Sequence, residues 1–244
     1  MCVSSVTGRL VDEKAAPLGA DLLVTVCGNA CFYGTVGADG AFTVPLRYHV
    51  PVADYAVSVH AGPARASAYF RVPALVGEAA AFRAPLVVPL LPSDGPALKL
   101  DRTAESVASM GVTLSFAAGT VVMLSLEDVE QKELGRRFRA APIAAPATLA
   151  LDWPRSDPPE QLYAFAPFEA LFAPPAMLSF PNRAAAPAGT RYGVYAMRAL
   201  DTEKLPAGTF DRIAGAQVSG DATTIQLDAG AGFSTLTWVA IYRE

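Results

Sequence analysis

The chain has 244 residues, 52% hydrophobic and only 17% charged, with 19 Lys and Arg against 23 Asp and Glu and a net charge of −4. An ordinary soluble domain carries about 25% charged residues, so the surface is short of charge, while the apolar content is too high for a disordered chain. The acidic balance offers nothing to a phosphate backbone and argues against nucleic acid as a partner.

A mean hydropathy of +0.31 raises the question of a membrane. A spanning helix needs about 20 apolar residues. The best stretch, Val72 to Leu91, is interrupted by Glu78, Arg83, Pro73, Pro85 and Pro89, which would break a helix and orphan its carbonyls. No membrane span is therefore expected. Met1 to Leu10 has neither the basic start nor the apolar core of a secretory signal.

In the first third, Val6 to Val11, Asp21 to Cys27, Phe32 to Val36, Phe42 to Pro45, Tyr55 to Ala61 and Ser67 to Val72 are strand-length and rich in β-branched or aromatic residues. Asp39-Gly40 sits between two of them as a hairpin signal, since Gly accepts positive φ without cost. Tyr55 to His60 alternates with period two, as a half-buried strand should. These segments predict a small β-sandwich over residues 1–72.

Residues 73–96 are rich in Ala, Pro and Val and read as a connector, with an edge strand at Ala84 to Pro89. The turn Pro92-Ser-Asp-Gly-Pro96 suits a boundary. Strands resume at Val112 to Phe116 and Thr120 to Leu126. Leu126 to Leu134 has helical spacing and suits a short helix or a solvated loop. Later strands are expected at Phe138 to Ala140, Leu162 to Ala166, Ala176 to Phe180, Arg191 to Met197, Phe210 to Ala214, Gln217 to Val218, Thr223 to Leu227 and Phe233 to Tyr242. The expected fold class is all-β: two β-sandwich domains, the second and larger over residues 97–244.

Three Cys stand at 2, 27 and 31. Cys27-Gly-Asn-Ala-Cys31 joins two β-type runs, and a turn of that size can close a disulfide. A metal or redox role lacks further ligands nearby. Cys2 is left over, either as a free thiol or, had a signal preceded it, as a lipid anchor.

The segments Val6-Thr-Gly-Arg-Leu-Val-Asp12, Ala16-Pro-Leu-Gly-Ala20, the Cys27 strand and Gly37-Ala-Asp-Gly-Ala-Phe-Thr-Val44 follow one order: strand, small-residue turn, strand, Asp-Gly turn, Phe strand. In this the first part resembles the transthyretin-like, carboxypeptidase-regulatory-like modules of secreted and surface proteins. In the second part, Tyr163 to Glu169, Phe172 to Pro175, Leu178 to Asn182, Gly193 to Ala196, Gly208 to Phe210 and Trp238 resemble ZU-type domains. The pairing of a transthyretin-like module with a following sandwich is similar to the region that precedes the shell of teneurin-like and Rhs-type proteins, where the second module acts as a plug. These resemblances imply binding and scaffolding at a cell surface or outside the cell, without catalysis.

Candidate chemistry is sparse. His49 and His60 are the only neutral-pH bases, and neither Ser58 nor Ser67 lies in a nucleophile elbow, so no catalytic residues are expected. His49, Asp54, His60 and Asp39 match no metal-ligand signature, and Asp12, Asp94 and Asp101 lack a calcium-loop pattern. No metal and no cofactor is expected. Glu127, Asp128, Glu130 and Glu133 are followed by Lys132, Arg136 and Arg137 and suit a locally neutralised segment. Tyr163, Phe165, Phe168, Phe172 and Phe180 form the densest aromatic cluster, whose first use is core packing. Candidate binding residues are therefore His49, Asp54, His60, Tyr163 and Phe168.

The function expected is that of a non-enzymatic structural or binding module of a bacterial surface, secreted or multi-subunit assembly. Its rigid sandwiches would present the loops Cys27 to Cys31, Leu46 to Asp54 and Glu127 to Arg137. Protein partners or its own copies are expected to cover the charge-poor surface. The alternatives are a particle subunit packing through sheet edges and a carbohydrate-binding adhesin using the aromatic residues, which makes a glycan a further candidate partner.

Overall fold

The structure, a computed structural model, describes residues 2–19, 22–51, 55–72, 79–144, 149–199 and 207–244. It is all-β, with two large sheets and, among the described residues, a single α-helix of five residues. No helix among those residues is long and apolar enough to cross a membrane. The chain divides into two compact units, neither of them one run of sequence. Unit 1 comprises Met1–Leu90, Ala147–Ser156 and Met197–Phe210, and unit 2 comprises Leu91–Pro146, Asp157–Ala196 and Asp211–Glu244.

Unit 1 is built on β1 (Cys2–Val11), β2 (Leu23–Cys27), β3 (Cys31–Val36), β4 (Ala41–Pro51), β5 (Ala56–His60) and β6 (Ala68–Arg71). Two short strands, β7 (Ala79–Ala81) and β8 (Leu86–Val87), run parallel to β1. The path is β6-β5-β2-β3-β4-β1-β7, with β8 also on β1. Residues 79–87, expected to be mostly connector, thus complete the edge of this sandwich.

The turn between β3 and β4 forms where Asp39-Gly40 predicts it. Gly40 has φ +81°, and the Asp39 carboxylate accepts the Ala41 amide at 3.1 Å. β4 extends beyond Pro45 because Val50 and Pro51 pair with Val3 and Cys2 of β1, so His49 lies on a strand rather than in a loop. Gly8 faces Phe42 across the same ladder. A Cβ on Gly8 would lie 2.6 Å from the Phe42 ring, so only glycine lets that ring fill the sandwich centre. Val3, Val6, Leu10, Val24, Val26, Val57, Val59 and Phe70 supply the rest of the core.

Two later segments finish unit 1. Asp152 bridges Thr209, Trp153 stacks on Phe210 at 5.5 Å, and Arg71 on β6 pairs with Asp152 at 2.8 Å.

Unit 2 begins with β9 (Glu105–Ser109), β10 (Val112–Phe116), β11 (Val121–Met123) and α1 (Leu126–Glu130). It continues through β12 (Arg139–Pro142), β13 (Gln161–Ala166), β14 (Ala170–Pro181) and β15 (Arg191–Met197). It closes with β16 (Phe210–Val218), β17 (Thr224–Leu227), β18 (Phe233–Leu236) and β19 (Val239–Arg243). The main path is β12-β13-β19-β15-β16-β17-β14-β10-β9. Its two end strands approach one another, since the Ala140 amide on β12 donates to Ser109 Oγ on β9 at 3.0 Å.

β14 is the organiser of this unit. Its last residues pair with β10 and β17, while its first pair with β11 and β18. The ladder is interrupted between Leu171 and Ala176, where Pro174 and Pro175 remove backbone donors. Aromatic residues fill the interior: Phe138 stacks on Phe165 at 5.9 Å, and the Tyr163 and Phe180 rings meet at a tilt with centroids 5.5 Å apart. The cluster around Tyr163 is core, as alternating aromatics in a sandwich ordinarily are.

The expected strand from Phe233 to Tyr242 is two strands, separated at Thr237 and Trp238, both buried. The expected pair at Phe210 to Ala214 and Gln217 to Val218 is one strand. The helical spacing at Leu126 yields α1, capped by the Ser125 hydroxyl on the Asp128 amide.

Candidate functional site

The inward face of β13 changes character along its length. Phe165 is wholly apolar, Tyr163 carries a hydroxyl, and Gln161 ends the row with an amide; all three are buried. Where the apolar core gives way to these polar tips, a recess of about 380 Å³ opens. Pro142, Ile143 and Ala144 form one wall, Glu160 to Tyr163 the floor, and Arg183 with Ala184 the far side.

Arg183 is brought there by the turn after β14. Asn182 fixes this turn by donating to Ala186 O and Ala222 O, each at 2.8 Å, and accepting the Ala186 amide at 3.0 Å. Arg183 Nε then donates to the Tyr163 hydroxyl at 3.0 Å, and Nη2 to Met110 O at 3.3 Å. The guanidinium carbon lies 5.9 Å from the Tyr163 ring centroid. Among the described residues no carboxylate pairs with Arg183.

Burial holds the Tyr163 hydroxyl above its ordinary pKa, against the opposing pull of Arg183. It therefore keeps its proton at neutral pH. With one lone pair taken by Arg183, the hydroxyl donates to Gln161 Oε1 at 2.8 Å. That bond uses the acceptor of the Gln161 amide and leaves both N–H groups of Nε2 buried without a partner. An unsatisfied buried donor costs about 1–3 kcal/mol, which makes the position expensive to keep on stability grounds alone.

Glu160 lies on the same floor but is engaged. Its Oε1 accepts the Tyr192 hydroxyl at 2.7 Å, and its Oε2 pairs with Arg243 Nε at 3.0 Å. Burial first, and the Glu160 contact second, raise the pKa of Tyr192.

The candidates read from the sequence scatter. Tyr163 is among the residues lining the recess, but it is fully buried and its ring has no free face on which a sugar could stack. Phe168 is half-buried in the turn between β13 and β14. His60 ends β5 with Nε2 3.0 Å from Ser58 Oγ, and Ser58 is 1% exposed, which leaves a substrate no approach to it. His49 is on β4 by its backbone, and Cys2 on β1; their side chains, and Asp54 entirely, lie outside the described residues.

Cys27 and Cys31 face each other across the β2–β3 ladder and form a disulfide. Asp12 and Asp101 serve their own turns. Asp12 accepts the Lys14 and Ala16 amides, and Asp101 the Thr103 amide and hydroxyl. These bonds, the Ala16 amide and the Thr103 hydroxyl foremost, lower both carboxyls below their ordinary range. No cluster of metal-ligating side chains occurs among the described residues.

Among the acidic residues around α1, Asp128 stands apart. Burial pushes its carboxyl up to about 6, with Glu127 and Glu169 adding to the rise and Ser125 and Arg139 opposing it.

Gln161 and Arg183 were not singled out by sequence. The signal for Gln161 is its phase: it shares the inward register of Tyr163 and Phe165, where a polar residue needs a reason. No protein-family model, curated protein or solved structure matches the chain.

Proposed function

We propose that the chain is a non-enzymatic binding module of a bacterial surface, secreted or multi-subunit assembly, and that the recess at the start of β13 is its ligand site. One observation carries this reading: a buried glutamine amide without an acceptor, on the floor of a cavity large enough for a small ligand. Strand β13 holds Gln161 and Tyr163 in place, Glu160 directly precedes it, and an Asn-fixed turn holds Arg183, as a binding site requires. The disulfide fits an oxidising compartment.

The test is a titration of the full chain with a fragment set of small acids, amides and sugars, read at the side-chain amide resonances of Gln161. The expected result is saturable movement of those resonances, with the fragment recovered unchanged. Turnover of a fragment, or saturation that leaves Gln161 unmoved, contradicts the reading.

A self-assembling subunit is the second reading. It is favoured by apolar side chains left in solvent at Met123, Leu126, Val129 and Leu171, of which Leu126 is 76% exposed. Light scattering after size exclusion should then find more than one copy at high protein concentration; a strictly monomeric chain removes this reading.

A further inference from the structure

We infer that the recess of unit 2 recognises a single carboxylate carried on a short apolar body. The inference rests on the binding reading above and adds the chemical class of the ligand.

Charge comes first. Arg183 brings a positive charge that no carboxylate among the described residues answers, whereas Arg243 and Glu160 cancel one another. The recess thus carries one uncompensated cation, which matches a monoanion; a phosphate dianion would leave a charge unanswered.

Donors and acceptors point the same way. Gln161 Nε2 has two N–H groups without an acceptor. The Tyr163 hydroxyl accepts from Arg183 and gives its one proton to Gln161, and the Glu160 carboxylate is engaged by Tyr192 and Arg243. An ammonium would set its own charge and N–H donors against the Arg183 charge and the two N–H groups of Gln161, like against like. A carboxylate, which only accepts, meets the spare donors of Arg183 and Gln161.

Shape supplies the rest. Pro142, Ile143, Ala144 and Leu162 give the recess apolar walls, and about 380 Å³ suits a ligand of amino-acid size. Free short-chain acids and the C-terminal residue of a peptide share this chemistry.

Isovalerate represents the first source and N-acetyl-L-leucine the second; isovaleramide and N-acetyl-L-leucinamide are the neutral controls. The full chain is titrated with each, following the Gln161 side-chain amide by NMR and heat by calorimetry. At least one carboxylate should bind about tenfold or more tightly than its amide, the loss of one charge-assisted contact. Preference for isovalerate assigns a free acid, and preference for N-acetyl-L-leucine a chain terminus.

Arg183→Gln changes an exposed side chain and should bring carboxylate and amide to equal affinity. Gln161→Glu keeps an acceptor for Tyr163 but places a carboxylate on the floor, and should abolish carboxylate binding in a chain that remains folded. Equal binding of acid and amide by the unmodified chain overturns the carboxylate assignment and leaves the ligand site standing. No movement of Gln161 with any of the four probes overturns both.

Discussion

The Tyr163 hydroxyl donates to Gln161 Oε1 at 2.8 Å, and through this single bond a residue of the aromatic core sets the orientation of a glutamine at the edge of the recess. The same hydroxyl accepts from Arg183 at 3.0 Å, so three residues from two parts of the chain are locked in one geometry. Tyr163→Phe keeps the ring and removes the lock. Two polar groups then lose their partner at once, and a cost of about 1–3 kcal/mol is expected in urea denaturation.

Asp128 makes stability depend on pH. Its folded-state carboxyl titrates at about 6 against an ordinary 3.8, chiefly through burial. A raised folded value means that its contribution is fully present below about pH 4 and is lost as pH rises through about 6. Asp128→Asn should flatten the stability profile between those limits and raise the melting temperature at pH 7 relative to the unmodified chain. Melting curves from pH 4 to 8 check both.

Gly8 is a packing requirement as well as a strand residue. Gly8→Ala would place a methyl 2.6 Å from the Phe42 ring and should destabilise unit 1 by about 1–3 kcal/mol, the usual range for overpacking. Phe42→Leu added to Gly8→Ala should restore part of that loss, and chemical denaturation of the single and double variants measures the coupling.

The Cys27–Cys31 bridge closes a short hairpin loop. For a loop of this size chain-entropy arguments give about 2 kcal/mol, which is the loss expected for the double change Cys27→Ser and Cys31→Ser. Intact mass before and after reduction should differ by the two hydrogens of one bridge.

The features legible in sequence were those set by local rules. The Asp39-Gly40 turn and the Cys27 to Cys31 hairpin each depend on a few neighbouring residues, and each stands where it was read; the Tyr55 alternation marks a strand at Ala56–His60, but one buried on both faces from Ala56 to Val59 rather than half-buried. Strands stabilised from outside were harder to see. Glu105 to Ser109 has little apolar content, yet β10 holds it as an edge strand. Ala79 to Ala81 has no β-branched residue, yet it lies along β1. Phe233 to Tyr242 carries neither Gly nor Pro, so nothing local marked the break at Thr237.

Long-range contacts were invisible for the same reason. Nothing near Asp152 or Trp153 announces that they join Arg71 and Phe210 in unit 1. Arg183 reaches Tyr163 only because β14 runs back along the sheet and Asn182 fixes the turn that follows it. The aromatic cluster was visible as core, but its polar end at Gln161 carried no local motif. Two well-filled interiors absorb many of the apolar residues, and large apolar side chains remain exposed around α1 and also at Leu23, Tyr33, Leu90, Leu100 and Met110.

The most direct measurement is a crystal structure of the full chain with isovalerate at saturating concentration. The account predicts the carboxylate within hydrogen-bond distance of the Arg183 guanidinium and of Gln161 Nε2, with the branched end against Pro142 and Ile143. Isovalerate bound elsewhere, or a recess holding only water at that concentration, would contradict it.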